Sequence, residues 1–291
     1  MSLIALTGAN GMTGKHMVDM FKDKGIAFKE IKREIWDLTE WKTIEELDDI
    51  FGKVSAVFHF AACIPSINLQ NNKEIFDVNV RSCMNIAEWA HARNVAIIFI
   101  SSAVVYKNPH AINIKETNPI GFNDFGSYYG HSKILAENIF KNFALEGLNS
   151  IILRPSSLYG YGLPSDKLVQ KFIDTASSGG TINITEPRNK VNFIHAYDLV
   201  NAALQAYAAK KWGIYNIASR ESKTILEVAE TAVSLSGKGS VEIHKTDKIS
   251  NPFTRFDLNF NLANKIFRFE PKISLIDGMK LMKNKMLSNV K

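Results

Sequence analysis

The chain has 291 residues, 46% of them hydrophobic and 22% charged, enough apolar material for one large domain or two closely joined ones. Thirty-five basic against 29 acidic residues leave a net charge of +6, which suits an anionic ligand, but with no basic run interleaved with aromatics and no zinc pattern they argue against nucleic acid and a bound metal. Cys63 and Cys83 are too few for a disulfide framework, the apolar start is too short for a signal peptide and no stretch reaches membrane-spanning length, so a soluble cytoplasmic protein with no membrane partner is expected.

Along the chain, short apolar runs alternate with stretches of helical period. LIALTG (3–8) reads as a buried strand and KHMVDMFKDKG (15–25) as a helix with Met17, Met20 and Phe21 at helical spacing. Strands follow at 27–33 and 56–62, a long helix at about 72–93, and the most apolar strand at 95–102. HSKILAENIFKNFALEG (131–147) is predicted helical and SIILRP (150–155) a further strand. The alternation predicts an α/β fold: a Rossmann-type doubly wound parallel sheet, with a smaller α/β substrate-binding domain from the less regular second half. The basic tail 280–291 reads as a solvated terminal helix rather than one that faces a membrane.

Two motifs carry chemistry. TGANGMTG (7–14) sets Gly8, Gly11 and Gly14 between a strand and a helix, where small residues let backbone N–H groups approach a pyrophosphate at a helix N-terminus. SYYGHSK (127–133) sets Tyr129 four residues before Lys133, so both share one helix face; Tyr128 lacks that spacing. A free tyrosine titrates near about 10, and an ammonium beside it is expected to lower that value toward useful acid–base range.

With its G-x-x-G-x-x-G loop and its Y-x-x-x-K pair, the chain resembles the short-chain dehydrogenase/reductase superfamily. HFAA (59–62), FDVNV (76–80), FISSAVVY (99–106), LRPSSLYGYG (153–162), NFIHAYDLV (192–200) and YNIAS (215–219) fall in the order of its extended subgroup, the nucleotide-sugar epimerases, dehydratases and ketoreductases. The resemblance implies a catalytic triad of Ser102, Tyr129 and Lys133. It implies a nicotinamide dinucleotide held by Gly8, Asn10, Gly11, Met12 and Gly14, by Asp37 and Leu38 at the adenine, and by Ala61, Ala62, Asn79, Tyr129, Lys133 and Pro155. Lys32 and Arg33 close the second strand where an acid would favour NAD, which leans the expectation toward NADP over NAD; Glu30, two residues back, would restore NAD if the register slipped.

For the substrate, the resemblance implies contacts from Ser102, Ala103 and Ser157, with Cys63 and Pro65 on a nearby loop. The arginine usual before a stretch like NFIHAYD is Val191 here, leaving Arg188 and Arg255 as candidates to grip phosphate. Asn192, His195 and Asp198 are read as structural, and His59 as a sheet histidine. Ser102-Ala103-Val104 lacks the carboxylates of the dehydratases. The expected function is a nucleotide-sugar epimerase, with an NADPH-dependent 4-ketoreductase or a non-catalytic nicotinamide sensor as alternatives. Expected domains are 1–157 with 189–218 for the cofactor and 158–188 with 219–291 for the substrate. A homodimer through the helices of FDVNV and YGHSK is implied.

Overall fold

The computed structural model describes residues 3–64, 72–123, 125–244 and 251–288; Pro65 lies outside them. Strand β1 (Ile4–Thr7) is wholly buried, and helix α1 (Met12–Asp23) turns Met17, Met20 and Phe21 into the core. Then come β2 (Phe28–Ile31), α2 (Ile44–Phe51), β3 (Ala56–His59) and α3 (Asn72–Phe76), which runs through a π-helical turn (Asp77–Arg81) into α4 (Ser82–Arg93). Next are β4 (Ala96–Ile100), a 3-10 turn (Ala103–Val105), α5 (Ser127–Leu145), β5 (Ser150–Pro155) and β6 (Ser157–Tyr159). The second half holds α6 (Leu168–Ser177), β7 (Thr181–Ile184), β8 (Lys190–His195), α7 (Ala196–Ala208), β9 (Gly213–Ile217), β10 (Ser222–Thr224) and α8 (Ile225–Ser236). It ends with β11 (Ser240–Ile243), β12 (Thr254–Arg255), α9 (Asn261–Phe267) and α10 (Leu275–Ser288).

Six strands form a parallel sheet in the order β2-β1-β3-β4-β5-β9. Apolar residues cover both faces. Met17 and Phe21 of α1, Leu199 and Ala203 of α7 and Phe267 of α9 pack on one side; Phe51, Ile86, Trp89 and Phe140 from α2, α4 and α5 pack on the other. This is the doubly wound arrangement that the alternation predicts. A second sheet joins β10, β8 and β12, with β6 also on β8, and β7 pairs with β11. Strand β8 finds its partners in the second sheet, and α7, which follows it, packs on the first.

The predicted strands run past the observed ones by two or three residues: β2 ends at Ile31, β3 at His59 and β4 at Ile100. The leftover residues, Lys32–Arg33, Phe60–Ala62 and Ser101–Ser102, follow the strands at the carboxyl edge of the sheet, the edge at which such sheets bind ligands. Helix α5 starts at Ser127, four residues before the predicted start, so Tyr129 and Lys133 both lie on it. The expected helix 72–93 contains the π turn, an irregularity that often marks a functional site. Helix α10 is not simply solvated: Met279 and Met282 are fully buried against a cluster that includes Tyr159, Ile173 and Val228.

Candidate active site

The sheet order reverses between β1 and β3, and there the chain is packed too closely for side chains. Gly8 has φ +74°, and a Cβ on it would meet the Ala61 nitrogen at 2.5 Å; a Cβ on Gly14 would lie 2.0 Å from the Gly8 carbonyl oxygen. Gly11 is different, since a Cβ would stand 3.4 Å from Gly8 O. It is the N-cap of α1, and no side chain caps that end. Two glycines thus close the turn while the third keeps the helix N-terminus bare, which fits a pyrophosphate. This turn floors a cleft of about 930 Å³ lined by Gly8 to Gly14, by Ala61, Ala62 and Cys63 after β3, and by Ser157, Leu163, Lys167, Val191 and Arg255 opposite. Thr7, at the end of β1, ties the two sides of the switch point together: its hydroxyl accepts from Ala61 N, after β3, at 3.3 Å and shares a 2.8 Å hydrogen bond with His59 Nδ1, at the end of β3. Burial holds His59 neutral, down to about 3.

At one end, Ile31, Lys32, Arg33, Trp36, Asp37 and Leu38 line the cleft. Register places Thr7 beside Ile31, so Lys32 follows where Gly8 turns away. Lys32 pairs with Glu30 at 3.4 Å, and Arg33 donates to Asp37 at 2.9 Å. The Thr39 N–H and hydroxyl also donate to Asp37, and together with Arg33 they hold its carboxyl below the usual range.

The residues of the expected triad sit after the end of β4 and in the first two turns of α5. Ser102 caps the 3-10 turn by accepting from Val104 N at 3.3 Å. That turn packs on α5, where a Cβ on Gly130 would lie 3.4 Å from Val104 O. Lys133, only 3% exposed, donates from Nζ to Ile100 O at 2.8 Å, and Nζ lies 5.8 Å from the Tyr129 ring centre. Burial lowers Lys133 to about 8, with Cys83 and Glu137 acting against it. Against the expected lowering, burial pushes the Tyr129 phenol up, because it disfavours the phenolate. Asn79, on the π turn, accepts from Cys63 N at 2.7 Å and donates to Cys63 O at 2.9 Å and to Ser132 Oγ at 3.0 Å, pinning the loop after β3 to α5.

Of the arginine candidates, only Arg255 reaches the cleft; Arg188 is exposed and outside its lining. Arg255 pairs in register with Val191, so a neighbouring strand brings a cation to the place where β8 carries valine. Its guanidinium lies 4.1 Å from the Phe125 ring and 5.0 Å from the Phe253 ring, and its buried Nε has no hydrogen-bond partner. Phe125 lines the cleft and escaped the sequence reading, although it stands four residues before Tyr129. Ser157 is in the wall, whereas Ser102, Ala103, Asn79, Tyr129, Lys133 and Pro155 are not; Pro155 is buried in β5 opposite Ile217. Asn192, His195 and Asp198 hold backbone: Asn192 binds Ser219, His195 caps α7, and Asp198 accepts from Lys272 and Ile273.

A glycine-floored crevice at the switch point of a doubly wound parallel sheet defines a dinucleotide-binding α/β enzyme. The profile of the NAD dependent epimerase/dehydratase family matches residues 4–218, and the chain belongs to that family. It is 25% identical to UDP-glucuronic acid decarboxylase 6 of Arabidopsis thaliana, over 96% of this chain and 87% of that one. It is 23% identical to a dTDP-4-dehydro-6-deoxy-D-allose reductase of a Streptomyces species, over 92% and 91%. Among solved structures, UDP-N-acetylglucosamine 4-epimerase from Bacillus cereus shares the fold with a TM-score of 0.83 at 22% identity, over 99% of this chain and 100% of that one.

Proposed function

We propose that the protein is an NAD(P)-dependent nucleotide-sugar epimerase, with Ser102, Tyr129 and Lys133 as its catalytic residues. The observation that carries this reading is the grouping of the Ser102 turn with Tyr129 and Lys133 on α5, beside a cleft whose glycine floor fits a dinucleotide. The nicotinamide, when bound, supplies the hydride acceptor and donor. Gly8, Gly11 and Gly14 would take the pyrophosphate, Asp37 and Leu38 the adenosine end, and Ala61 and Ala62 the middle. Tyr129 would exchange a proton with the reacting oxygen of the sugar, Ser102 would hydrogen-bond that oxygen, and Lys133 would hold the phenol oriented and favour its ionised form. Arg255 would take the substrate diphosphate, and Ser157 lies on the same side of the cleft. Phe76, Met84 and Leu135, exposed apolar residues near or on α4 and α5, support the expected homodimer.

The alternative is an NADPH-dependent 4-ketoreductase, favoured by Lys32 and Arg33 where an acid would select NAD. Cofactor retention separates the two, because an epimerase closes its redox cycle on one bound molecule. Denaturing the purified protein and identifying released nicotinamide by mass spectrometry tests this. Stoichiometric NAD(H), with interconversion of UDP-glucose or UDP-N-acetylglucosamine epimers, supports the epimerase. An empty protein that binds NADPH more tightly than NADH supports the reductase. If Tyr129→Phe keeps full turnover, the triad is wrong.

A further inference from the structure

The segment 253–259 has two sides. On one it is laced to the excursion that joins Ser102 to Tyr129: Phe256 N donates to Pro109 O at 2.8 Å, Ile114 N to Asp257 O at 2.8 Å, and Asn259 N to Ile114 O at 2.7 Å. On the other it presents Arg255 to the cleft, stacked on Phe125, whose ring also meets the edge of Phe256 at 5.4 Å. Phe125 in turn sits at the start of the catalytic helix. Gly126 N donates to Asn123 Oδ1 at 2.6 Å, and Asn123 Nδ2 donates to Val104 O and Tyr106 O, on and beside the turn that Ser102 caps. One helical turn further on is Tyr129.

We propose that Phe125 is a positioning residue, through which an anion bound at Arg255 sets the start of α5 and so the place of Tyr129. The guanidinium of Arg255 is faced by two rings, its buried Nε has no hydrogen-bond partner, and the Glu186 carboxylate is the acidic charge that acts on it, with which an incoming anion would compete. An anion taken there in bidentate fashion fixes the guanidinium plane, and a fixed plane holds the ring stacked on it. Binding energy from a part of the substrate remote from the reacting carbon is thereby spent on orienting the acid–base group. The identity of that anion, a nucleoside diphosphate, rests on the function proposed above.

The test is hydrogen–deuterium exchange of the enzyme supplied with NAD, using UDP as the probe. UDP should slow exchange at 253–259 and also at 125–130, in each case by about threefold or more. Phe125→Ala should keep the first effect and lose the second, and Phe125→Tyr should restore it. Phe125 is 47% exposed, so what Phe125→Ala removes is chiefly its contact with Arg255 and with the edge of Phe256, and Phe125→Tyr keeps both. With a turned-over substrate, Phe125→Ala should lower kcat about tenfold with KM within about twofold, which a purely structural loss would not produce. Slowing confined to 253–259 in the wild type, or retained at 125–130 in Phe125→Ala, overturns the inference and leaves the diphosphate reading standing. No slowing by UDP anywhere removes the diphosphate reading, and the inference with it.

Discussion

The ammonium of Lys133 is anchored to the carbonyl of Ile100 at 2.8 Å, and from there it faces the Tyr129 ring, 5.8 Å from its centre. The lysine is thus held by the strand that leads to Ser102, and both groups are disfavoured in their charged forms by burial. Tyr129→Phe should lower turnover by about 10²-fold or more, with dinucleotide affinity unchanged, as isothermal titration and steady-state rates would show.

Lys133 gives a pH prediction whose sign follows from its lowered value. Below about 8 it is charged in both folded and unfolded protein, and folding bears the whole cost of burying it. From about 8 up to the unfolded value near 10.5 the unfolded chain binds more protons, so this residue's contribution to stability rises with pH across that window. Activity should move the opposite way and fall as pH rises through about 8, if the ammonium is required. Lys133→Met should abolish turnover without lowering the melting temperature at pH 7. A melting temperature many degrees lower would show that the buried charge is stabilising.

The glycines of the first turn separate fold from binding. Gly14→Ala sets a methyl 2.0 Å from Gly8 O, and Gly8→Ala adds a positive φ to a backbone clash. Each should cost more than about 2 kcal/mol of stability in chemical denaturation. Gly11→Ala meets only Gly8 O at 3.4 Å, so it should fold normally while its methyl crowds the bare helix end. A tenfold or larger loss of dinucleotide affinity, about 1.4 kcal/mol or more, is expected with an unchanged melting temperature. Unchanged affinity would mean that the pyrophosphate does not lie there.

What could be read beforehand was what depends on local sequence. The strand–glycine–helix unit and the Tyr129–Lys133 spacing need only a few contiguous residues, and both are found as read. Strand ends were overrun because Phe60–Ala62 and Ser101–Ser102 stay apolar or shielded after the ladder stops. Choosing Arg255 over Arg188 required the pairing of β12 with β8, a contact between residues 64 positions apart, which no local pattern encodes. The rise of the Tyr129 pKa was hidden for a related reason: the Lys133 charge is visible in a sequence, whereas the burial that raises the phenol is a property of the packed molecule.

That pairing yields its own prediction. Arg255→Ala should raise KM for a nucleotide sugar about tenfold to a hundredfold, since a charge-assisted contact is lost from a half-buried place. Arg188→Ala should leave KM unchanged. The reverse order in a steady-state assay would return the phosphate to Arg188.

Cofactor choice is open to a direct exchange of charge. Lys32 and Arg33 line the cleft, and each already pairs with a carboxylate, Glu30 or Asp37. If they serve a 2′-phosphate, the wild type should bind NADPH more tightly than NADH, and Lys32→Glu should reverse the order by about tenfold. Fluorescence titration with the two reduced cofactors decides it. A wild type that prefers NADH assigns Lys32 and Arg33 to the surface ion pairs alone.

Close to Ser102 and Lys133 lies a buried ion pair whose removal should be felt first in stability. Arg154 donates from Nε and Nη2 to the two oxygens of Glu137 at 2.9 and 2.6 Å, and both residues are almost wholly buried. Ser101 Oγ donates to Glu137 at 2.5 Å, and Arg154 Nη1 donates to the Tyr106 hydroxyl at 3.1 Å. The pair therefore joins α5, β5 and the residue before Ser102. Glu137→Gln leaves the guanidinium without its counter-charge and should cost about 3–5 kcal/mol in urea denaturation. Replacing both, Glu137→Leu with Arg154→Met, removes the stranded charge and should recover much of that loss. Glu137 is also one turn from Lys133 and raises its pKa, so the double variant, folded but lacking this carboxylate, should lose activity at a lower pH than the wild type. An unshifted alkaline limb would confine Glu137 to holding the fold.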